Sequence, residues 1–239
     1  MAGNFIYNRV LLKLSGETLK GSLDHGYDAN AVKAVIARIK PLADKGLEIA
    51  VVVGAGNIWR GVMGARTGMD PVVCDYMGML GTMMNALCLK EFCNSAGLTA
   101  EVYGATAFGT AIVPFNRAQA IRDLEAGKVV IFAGGTGSPF FTTDTTAALR
   151  ALETDCDAVL KATKVDGVYS ADPFKDPNAV RYSTLSYEEA LAKQLKVMDA
   201  AAFSLCRDHD LPIVVFNFFE SGSLERVLAG DPAAGTVVR

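Results

Sequence analysis

Three glycine-rich segments carry the residue types that hold phosphate groups. They are residues 13–17 (Lys-Leu-Ser-Gly-Glu), 54–61 (Gly-Ala-Gly-Asn-Ile-Trp-Arg-Gly) and 134–144 (Gly-Gly-Thr-Gly-Ser-Pro-Phe-Phe-Thr-Thr-Asp). Glycines let backbone N–H groups approach an anion without a Cβ in the way, while Lys13 and Arg60 add positive charge. Any one of these segments could be an ordinary turn. Three of them in one chain predict a phosphorylated ligand.

Lys13 stands between Leu12 and Leu14 in a strand of the buried type, where an ammonium group needs a partner or a ligand. Two common nucleotide fingerprints are missing. Gly54-x-Gly56 lacks the third glycine of the dinucleotide fingerprint, since Trp59 stands in its place, and the Walker pattern does not occur.

A fourth segment, residues 160–173, follows another strand that ends at Lys161. Asp166 and Gly167 predict a turn, after which Tyr169 and Asp172 could hold a ribose or a base. An ordinary surface loop is the alternative interpretation.

Strand-like and helix-like segments alternate along the chain, which is typical of a mostly parallel sheet covered by helices on both faces. Ligands of such sheets bind beyond the carboxyl ends of the strands, so the glycine-rich segments are expected on one rim. The pattern predicts strands at 10–14, 48–53, 99–103, 129–133, 157–161, 213–216 and 236–238. It predicts helices near 29–43 (kinked or broken at Pro41), 75–96, 117–126, 144–153, 187–195, 199–208 and 223–229.

The composition is that of a globular protein. Of 239 residues, 51% are apolar and 21% charged, and the net charge is −3, which excludes a disordered chain and argues against a general binder of nucleic acid or anionic membrane. The five cysteines form no CxxC pair, which indicates a reducing compartment. The first residues do not read as a signal peptide, and no uninterrupted apolar run reaches the length of a membrane span. We expect a soluble cytoplasmic protein with one domain, residues 1–239, divided near residue 150 into two lobes of one sheet.

The motifs resemble, in order, those of the bacterial uridylate kinases of the amino acid kinase superfamily, over essentially the whole chain. They are residues 13–17, 54–61, 75–79 (Asp-Tyr-Met-Gly-Met), 135–144, 161–168, 171–173 and 195–199. The resemblance implies an α/β fold, a three-layer α-β-α sandwich with a mainly parallel sheet. It also implies transfer of the γ-phosphoryl group of ATP, with Mg²⁺, to UMP in pyrimidine nucleotide biosynthesis, in a homohexamer with GTP as activator and UTP as inhibitor.

The resemblance also assigns residues. Those implied for ATP are Lys13, Leu14, Ser15, Gly16, Gly56, Arg60, Thr163, Tyr169 and Asp172. Those implied for UMP are Ala55, Asp75, Thr136, Gly137, Ser138, Pro139, Phe140, Phe141, Thr142 and Thr143. Those implied near the reacting centre are Lys13, Asp144, Lys161 and Asp199. By the same resemblance, the lobe of roughly residues 1–150 holds the UMP site and the phosphate loops, and the lobe of roughly residues 151–239 holds the ATP nucleoside site.

Two departures from the family pattern stand out. Ala55 replaces a glycine that is usual in its loop. The segment Gly21-Ser22-Leu23-Asp24-His25-Gly26 stands where such enzymes carry an effector loop, yet its composition is not distinctive.

The chemistry of the implied reaction needs no general base, because an acceptor phosphate with a second pKa of about 6 is already a nucleophile at neutral pH. We therefore expect His25 and His209 to be solvated. The helix near 75–96 contains Gly78 and Gly81, which weaken a helix, and we expect close packing there, at a subunit interface.

Three alternatives remain open at this point. A kinase of the same superfamily could act on a carboxylate or carbamate such as acetylglutamate. A protein of the same fold could bind an anion without catalysis. A dinucleotide-dependent dehydrogenase is the third, and it lacks the third glycine of its fingerprint.

Overall fold

One nine-stranded sheet runs through the chain in the computed structural model, which describes residues 5–239. The strands are β1 (Arg9–Leu14), β2 (Glu48–Val53), β3 (Ala100–Gly104), β4 (Val113–Pro114), β5 (Val129–Ala133), β6 (Ala158–Thr163), β7 (Thr184–Leu185), β8 (Ile213–Asn217) and β9 (Gly235–Val238). The helices are α1 (Ala29–Ala43), α2 (Gly61–Arg66), α3 (Pro71–Ser95), α4 (Arg117–Glu125), α5 (Thr143–Glu153), α6 (Tyr187–Ala192), α7 (Ala200–Asp208) and α8 (Ser223–Leu228). A short 3-10 helix spans Gly16–Leu19.

The strand order is β4-β3-β5-β2-β1-β6-β8-β9-β7, with β1 in the middle. Every pairing is parallel except that of β9 with β8. The first strand pairs with β2 on one side and with β6 on the other. The carboxyl ends of β1, β2, β5 and β6 therefore meet at one rim, as predicted.

Helices cover both faces of the sheet, and each face has its own apolar core. Alternate residues of β2 show why: Ile49, Val51 and Val53 face the core made with α1, α3 and α8, whereas Ala50 and Val52 face the core made with α4, α5, α6 and α7. Such two-sided burial explains the continuous apolar composition of the central strands. The three-layer α-β-α sandwich is confirmed.

Helix α1 runs through Pro41 without a break, so the expected interruption is wrong. Asp28 caps its first turn by accepting hydrogen bonds from the N–H groups of Asn30 and Ala31, at 2.8 and 3.3 Å. Pro41 stands two residues before the end of the helix, where the lost N–H affects little of the hydrogen-bond ladder.

Helix α3 begins four residues earlier than predicted. Pro71 occupies its first position and Asp70 caps it, accepting a hydrogen bond from the Val72 N–H at 2.8 Å. Asp75 therefore lies in the second turn and is not the N-cap, which leaves its carboxylate free for another role.

By length and composition alone α3 is apolar enough to cross a membrane, with a mean hydropathy of 1.4 over 18 residues. It lies against the sheet instead, next to β3 and β5, and 39% of that window is buried within the protein. Buried Met83, Ala86, Leu89 and Cys93 belong to the core on this side.

The short elements α2, β4, β7 and the 3-10 helix were not predicted. Residues 1–4, on which the expectation about a signal peptide partly rests, lie outside the described residues.

Candidate active site

Two lysines and one carboxylate form the centre of the rim. Lys13 of β1 and Lys161 of β6 are register partners on neighbouring parallel strands, which places both side chains on the same face. Asp144, in the first turn of α5, lies between them, with one oxygen 2.7 Å from the Lys13 Nζ and the other 2.7 Å from the Lys161 Nζ. Lys161 also donates to the Val197 carbonyl at 2.6 Å.

Asp144 is ionised in this arrangement. Burial alone would raise the pKa of its carboxyl, but the ammonium groups of Lys13 and Lys161 outweigh burial and hold that pKa below its usual range. The N-terminus of α5 also favours negative charge at this position. Two positive charges and one negative charge leave the group with a net charge of +1, which suits an anionic ligand.

The first two glycine-rich segments touch each other beside this group. A Cβ on Gly16 would overlap the Gly54 carbonyl oxygen and lie 2.5 Å from the Asn57 Oδ1, so only glycine fits there. Ser15 caps the 3-10 helix, its Oγ accepting a hydrogen bond from the Glu17 N–H at 3.3 Å. The two loops therefore present their backbones together at the rim.

The side chains expected near ATP phosphates differ in their availability. Arg60 is exposed at the rim, where it pairs with Glu17 and its Nε donates to the Gly56 carbonyl at 3.4 Å. Leu14 is buried in the core, and its carbonyl accepts a hydrogen bond from the Gly54 N–H, so its side chain is not available to a ligand.

A first cavity, of about 170 Å³, opens between α3 and the third glycine-rich segment. Six of the residues implied for UMP line it: Ala55, Asp75, Thr136, Phe141, Thr142 and Thr143. Six further residues also line it: Gly61, Cys74, Gly78, Met79, Thr82 and Gly135. Gly61 and Gly135 lie in the glycine-rich segments predicted to hold a ligand, whereas sequence reasoning missed the four on α3. Those on α3 follow helical spacing and looked like core residues.

The loop over this cavity is fastened to α3. The Phe140 N–H donates to Asp75 Oδ2 at 2.7 Å, and Phe140 itself has a φ of 70°, unusual for a bulky residue, with its ring 77% exposed. Thr82 accepts a hydrogen bond from the Gly134 N–H at 2.9 Å at the start of the loop. Gly137, Ser138 and Pro139 belong to this loop but do not line the cavity.

A second cavity, of about 420 Å³, lies beyond the carboxyl end of β6. Thr163, Tyr169 and Asp172, implied for ATP, all line it, and residues 193–197 form a wall that sequence reasoning missed. The Tyr169 hydroxyl donates to Asp166 at 2.6 Å, and this hydrogen bond, together with burial, raises the pKa of Tyr169. Lys161 lines this cavity as well, so the charged centre borders it directly.

Asp199 has partners other than the lysines. It caps α7 by accepting a hydrogen bond from the Ala202 N–H at 3.0 Å, and it accepts further hydrogen bonds from the hydroxyls of Thr142 and Thr145. Asp199 thus joins the start of α7 to the start of α5, the helix that carries Asp144.

The segment expected to be an effector loop, residues 21–26, is mostly exposed. The Lys20 Nζ donates to the carbonyls of Leu23 and Asp24 at 2.9 and 3.2 Å and holds the segment together. Asp24 and His25 face residues 56–60 across a shallow cavity of about 250 Å³.

The acidic and metal-ligating side chains of residues 5–239 form no group of three that could hold a metal ion. Each oxygen of Asp144 already faces a lysine. A magnesium ion at this site would therefore depend on ligands other than these side chains.

Comparison with known proteins agrees with this geometry. Residues 8–217 match the model of the amino acid kinase family. The structure is similar to that of a UMP kinase from Bacillus anthracis, with 37% identity, 98% of this chain and 96% of that chain covered, and a TM-score of 0.94. It is also similar to a UMP kinase from Ureaplasma parvum (33% identity, 97% and 98% covered, TM-score 0.91) and to a uridylate kinase from Archaeoglobus fulgidus (28% identity, 96% and 99% covered, TM-score 0.74). The family model covers most of the chain and the solved structures match it over nearly its whole length, so the chain belongs to the amino acid kinase family.

Proposed function

We propose that this protein is an ATP-dependent UMP kinase, which transfers the γ-phosphoryl group of ATP to UMP and forms UDP and ADP in pyrimidine nucleotide biosynthesis. One observation carries the proposal: the Lys13–Asp144–Lys161 group adjoins two cavities. Lys161 lines the cavity beside Tyr169, and Thr143, next to Asp144 in the chain, lines the cavity beside Asp75. Solved UMP kinases of the same fold support the choice of substrate.

In the proposed reaction the protein mainly positions the two substrates and neutralises charge. The nucleophile is an oxygen of the UMP phosphate, which is a dianion above pH ~6 and gives up no proton as it attacks. Lys13 and Lys161 stabilise the charge on the group in transfer, while Asp144 holds the two ammonium groups at a fixed separation. Magnesium, bound with ATP, supplies further positive charge to the phosphates.

The first cavity is proposed to hold UMP. Asp75 would accept hydrogen bonds from the ribose hydroxyls, and the loop from Thr136 to Thr143 would surround the base and the acceptor phosphate. Gly137, Ser138, Pro139 and Phe140 belong to the same loop but lie outside the cavity wall, so their part would be to hold the loop around UMP.

The second cavity is proposed to hold the nucleoside of ATP, against Thr163, Tyr169 and Asp172, with Ser15, Gly16, Gly56 and Arg60 at the phosphates. This assignment divides the sheet near residue 150 into an acceptor lobe and a donor lobe.

The assembly is proposed to be a homohexamer in the cytoplasm. Four apolar side chains on α3, at Val73, Tyr76, Leu80 and Met84, are each about half exposed and share one face of the helix by their spacing. Such a stripe on a soluble enzyme is typical of a subunit contact. Activation by GTP and inhibition by UTP, with the segment 21–26 as the effector loop, belong to the same proposal.

The test is a panel of acceptors incubated with MgATP, with ADP release followed by a coupled assay. We expect UMP to be the preferred acceptor over AMP, GMP and CMP. Turnover with N-acetylglutamate or carbamate and none with UMP would favour a kinase of carboxylate or carbamate substrates. Absence of ATP turnover with every acceptor would favour an anion-binding protein.

A further inference from the structure

Two asparagines form a buried pair behind the phosphate loops. Asn57 and Asn85 are 1% and 0% exposed. Their amides bond to each other in both directions: Asn57 Nδ2 donates to Asn85 Oδ1 at 3.0 Å, and Asn85 Nδ2 donates to Asn57 Oδ1 at 2.8 Å. Neither side chain is among the residues implied for a substrate.

The remaining N–H of each amide also has a partner. Asn57 Nδ2 donates to the Gly26 carbonyl at 3.0 Å, and Asn85 Nδ2 donates to the Gly54 carbonyl at 2.7 Å. All four amide N–H bonds are therefore used. A buried polar network that is fully paired favours one arrangement of the segments it joins, since any displacement leaves a polar group unsatisfied.

The pair joins the segments on which phosphate binding depends. Gly54 directly follows β2 and starts the second glycine-rich loop, and its N–H donates to the Leu14 carbonyl at 3.0 Å at the end of β1. Gly16, in the first loop, packs so closely on Gly54 and Asn57 Oδ1 that it has no room for a Cβ. The asparagine pair therefore lies at the contact that fixes the distance between the two phosphate loops.

The pair also connects these loops to the helix of the acceptor cavity. Asn85 lies on α3, which carries Asp75 and Thr82 of that cavity. One turn before Asn85, a Cβ on Gly81 would lie only 2.8 Å from the Ala55 Cβ, so helix and loop are in close contact here. The Gly26 N–H donates to the Asn57 carbonyl at 2.7 Å, which ties the segment 21–26 to the same point.

We propose that Asn57 and Asn85 are positioning residues for phosphoryl transfer: they hold the two phosphate loops and α3 in one register, so that the acceptor phosphate and the ATP phosphates meet in line. The proposal rests on the proposed function. The pair acts through backbone positions and does not touch either substrate.

This role predicts an effect on kcat more than on KM. The nucleosides are held by Asp75 on one side and by Tyr169 and Asp172 on the other, away from the pair. A small misalignment of the phosphates leaves that binding intact, yet displacement of reacting groups by about 1 Å can cost ~10²-fold in rate.

The experiment compares Asn85→Ser and Asn57→Ser with Asn94→Ser, a matched change on an exposed position of α3. The native fold is checked by circular dichroism. We expect both pair variants to lose about 10- to 100-fold in kcat with KM values for UMP and ATP within about 3-fold, and N94S to match the unmodified enzyme. Because the amides act as a unit, the double variant N57S/N85S should lose little more than either single variant.

Normal kcat in folded N85S and N57S, or a rise in KM alone, would overturn the positioning role. Failure of both variants to fold would assign the pair to stability and overturn it as well. Failure of the proposed function can be distinguished from failure of the positioning role, because the unmodified protein and N94S would then not phosphorylate UMP at all.

Discussion

At the scale of single residues, the two lysines of the centre are not equivalent. An ammonium group has three N–H donors. Lys161 uses two of them, on Asp144 and on the Val197 carbonyl, whereas Asp144 is the one partner of Lys13 among the described residues. Lys13 therefore has more donors left for a phosphate, and it is the residue on which we expect turnover to depend most.

Lys13→Met should lower kcat by at least ~10²-fold, because it removes one strong electrostatic contact with the group in transfer while filling similar space. The measurement is steady-state turnover of UMP with MgATP. Lys45→Met, on an exposed position after α1, is the matched control and should be unaffected. A folded K13M enzyme with near-normal kcat would remove Lys13 from the mechanism.

Asp75→Asn should raise the KM for UMP much more than the KM for ATP, and dUMP should be a poor substrate of the unmodified enzyme. The carboxylate has no capping role, and its free oxygen can accept from ribose hydroxyls. Asp70→Asn is the control, because asparagine caps a helix about as well as aspartate. Equal changes in both KM values would contradict the ribose contact.

The pH dependence of kcat/KM should reflect the ionisation of the substrate phosphate and not that of a protein side chain. We expect kcat/KM for UMP to rise near pH ~6 with the second ionisation of its phosphate and then to stay flat towards pH 8. Asp144 does not contribute to this rise, because its lowered pKa keeps it ionised there. Its contribution to stability is present above the unfolded-state pKa and is lost only as the pH falls through the lower folded-state pKa.

His25→Gln and His209→Gln should leave the pH profile unchanged, since both side chains are exposed. An acceptor analogue with a more acidic phosphate should shift the rise to lower pH. A rise that stays fixed across analogues and disappears in one of the histidine variants would show that a side chain is the titrating group.

At the scale of elements, α3 joins the first cavity to the loop that begins at Gly54. It supplies Asp75, Met79 and Thr82 to the first cavity and Asn85 to the phosphate loops. The expected subunit contact at Gly81 is not what the structure shows, because this glycine is buried and faces Ala55 of the same chain. Because Gly81 has no side chain, the loop that contains Ala55 can pack closely against α3. The exposed apolar stripe lies elsewhere on this helix.

Gly81→Ala should therefore lower Tm without changing the mass of the assembly. Alanine favours a helix by about 1 kcal/mol over glycine, but forcing its methyl group to within 2.8 Å of the Ala55 Cβ costs about 1–3 kcal/mol. At Gly78 the nearest atom would be 3.9 Å away, so Gly78→Ala should keep or raise Tm. Equal Tm changes in the two variants would contradict this difference in packing.

Individual elements show which parts of the fold and of the candidate site could be predicted from the sequence, and why the other parts could not. Strand β2 was predicted with its observed bounds because it is apolar after Glu48, and the glycine-rich segments were placed correctly at one rim because they follow predicted parallel strands. The contribution of Met79 and Thr82 was missed, because a helix buried on one side gives core and cavity residues the same spacing. The two hydroxyls that donate to Asp199, from Thr142 and Thr145, lie more than 50 residues away along the chain, where no local pattern points to them.

At the scale of the whole molecule, the exposed stripe on α3 is the feature on which the proposed assembly rests. Leu80, the most exposed of its four residues, is 56% exposed. Burial of such side chains in a subunit contact gains about 25 cal/mol for each Å² of apolar surface removed from water.

Leu80→Glu should reduce the mass found by sedimentation, since a carboxylate cannot be buried in that contact without a partner. We expect a mass near six chains for the unmodified protein. Leu191→Glu, a similarly exposed leucine on α6, should leave the mass unchanged. A monomeric unmodified protein at micromolar concentration would contradict the proposed assembly.

The position of β9 has a consequence for the synthesis of the protein. This strand lies between β8 and β7, and its Thr236 accepts a hydrogen bond from the Val168 N–H at 2.8 Å, while its Gly235 carbonyl accepts one from Arg181 at 2.9 Å. Strand β9 follows the other described elements along the chain, so β7 and the turn at Val168 gain this partner only after all of those elements have been synthesised. A nascent chain can thus assemble the glycine-rich loops and the first cavity during translation, before the wall of the second cavity has the support of β9.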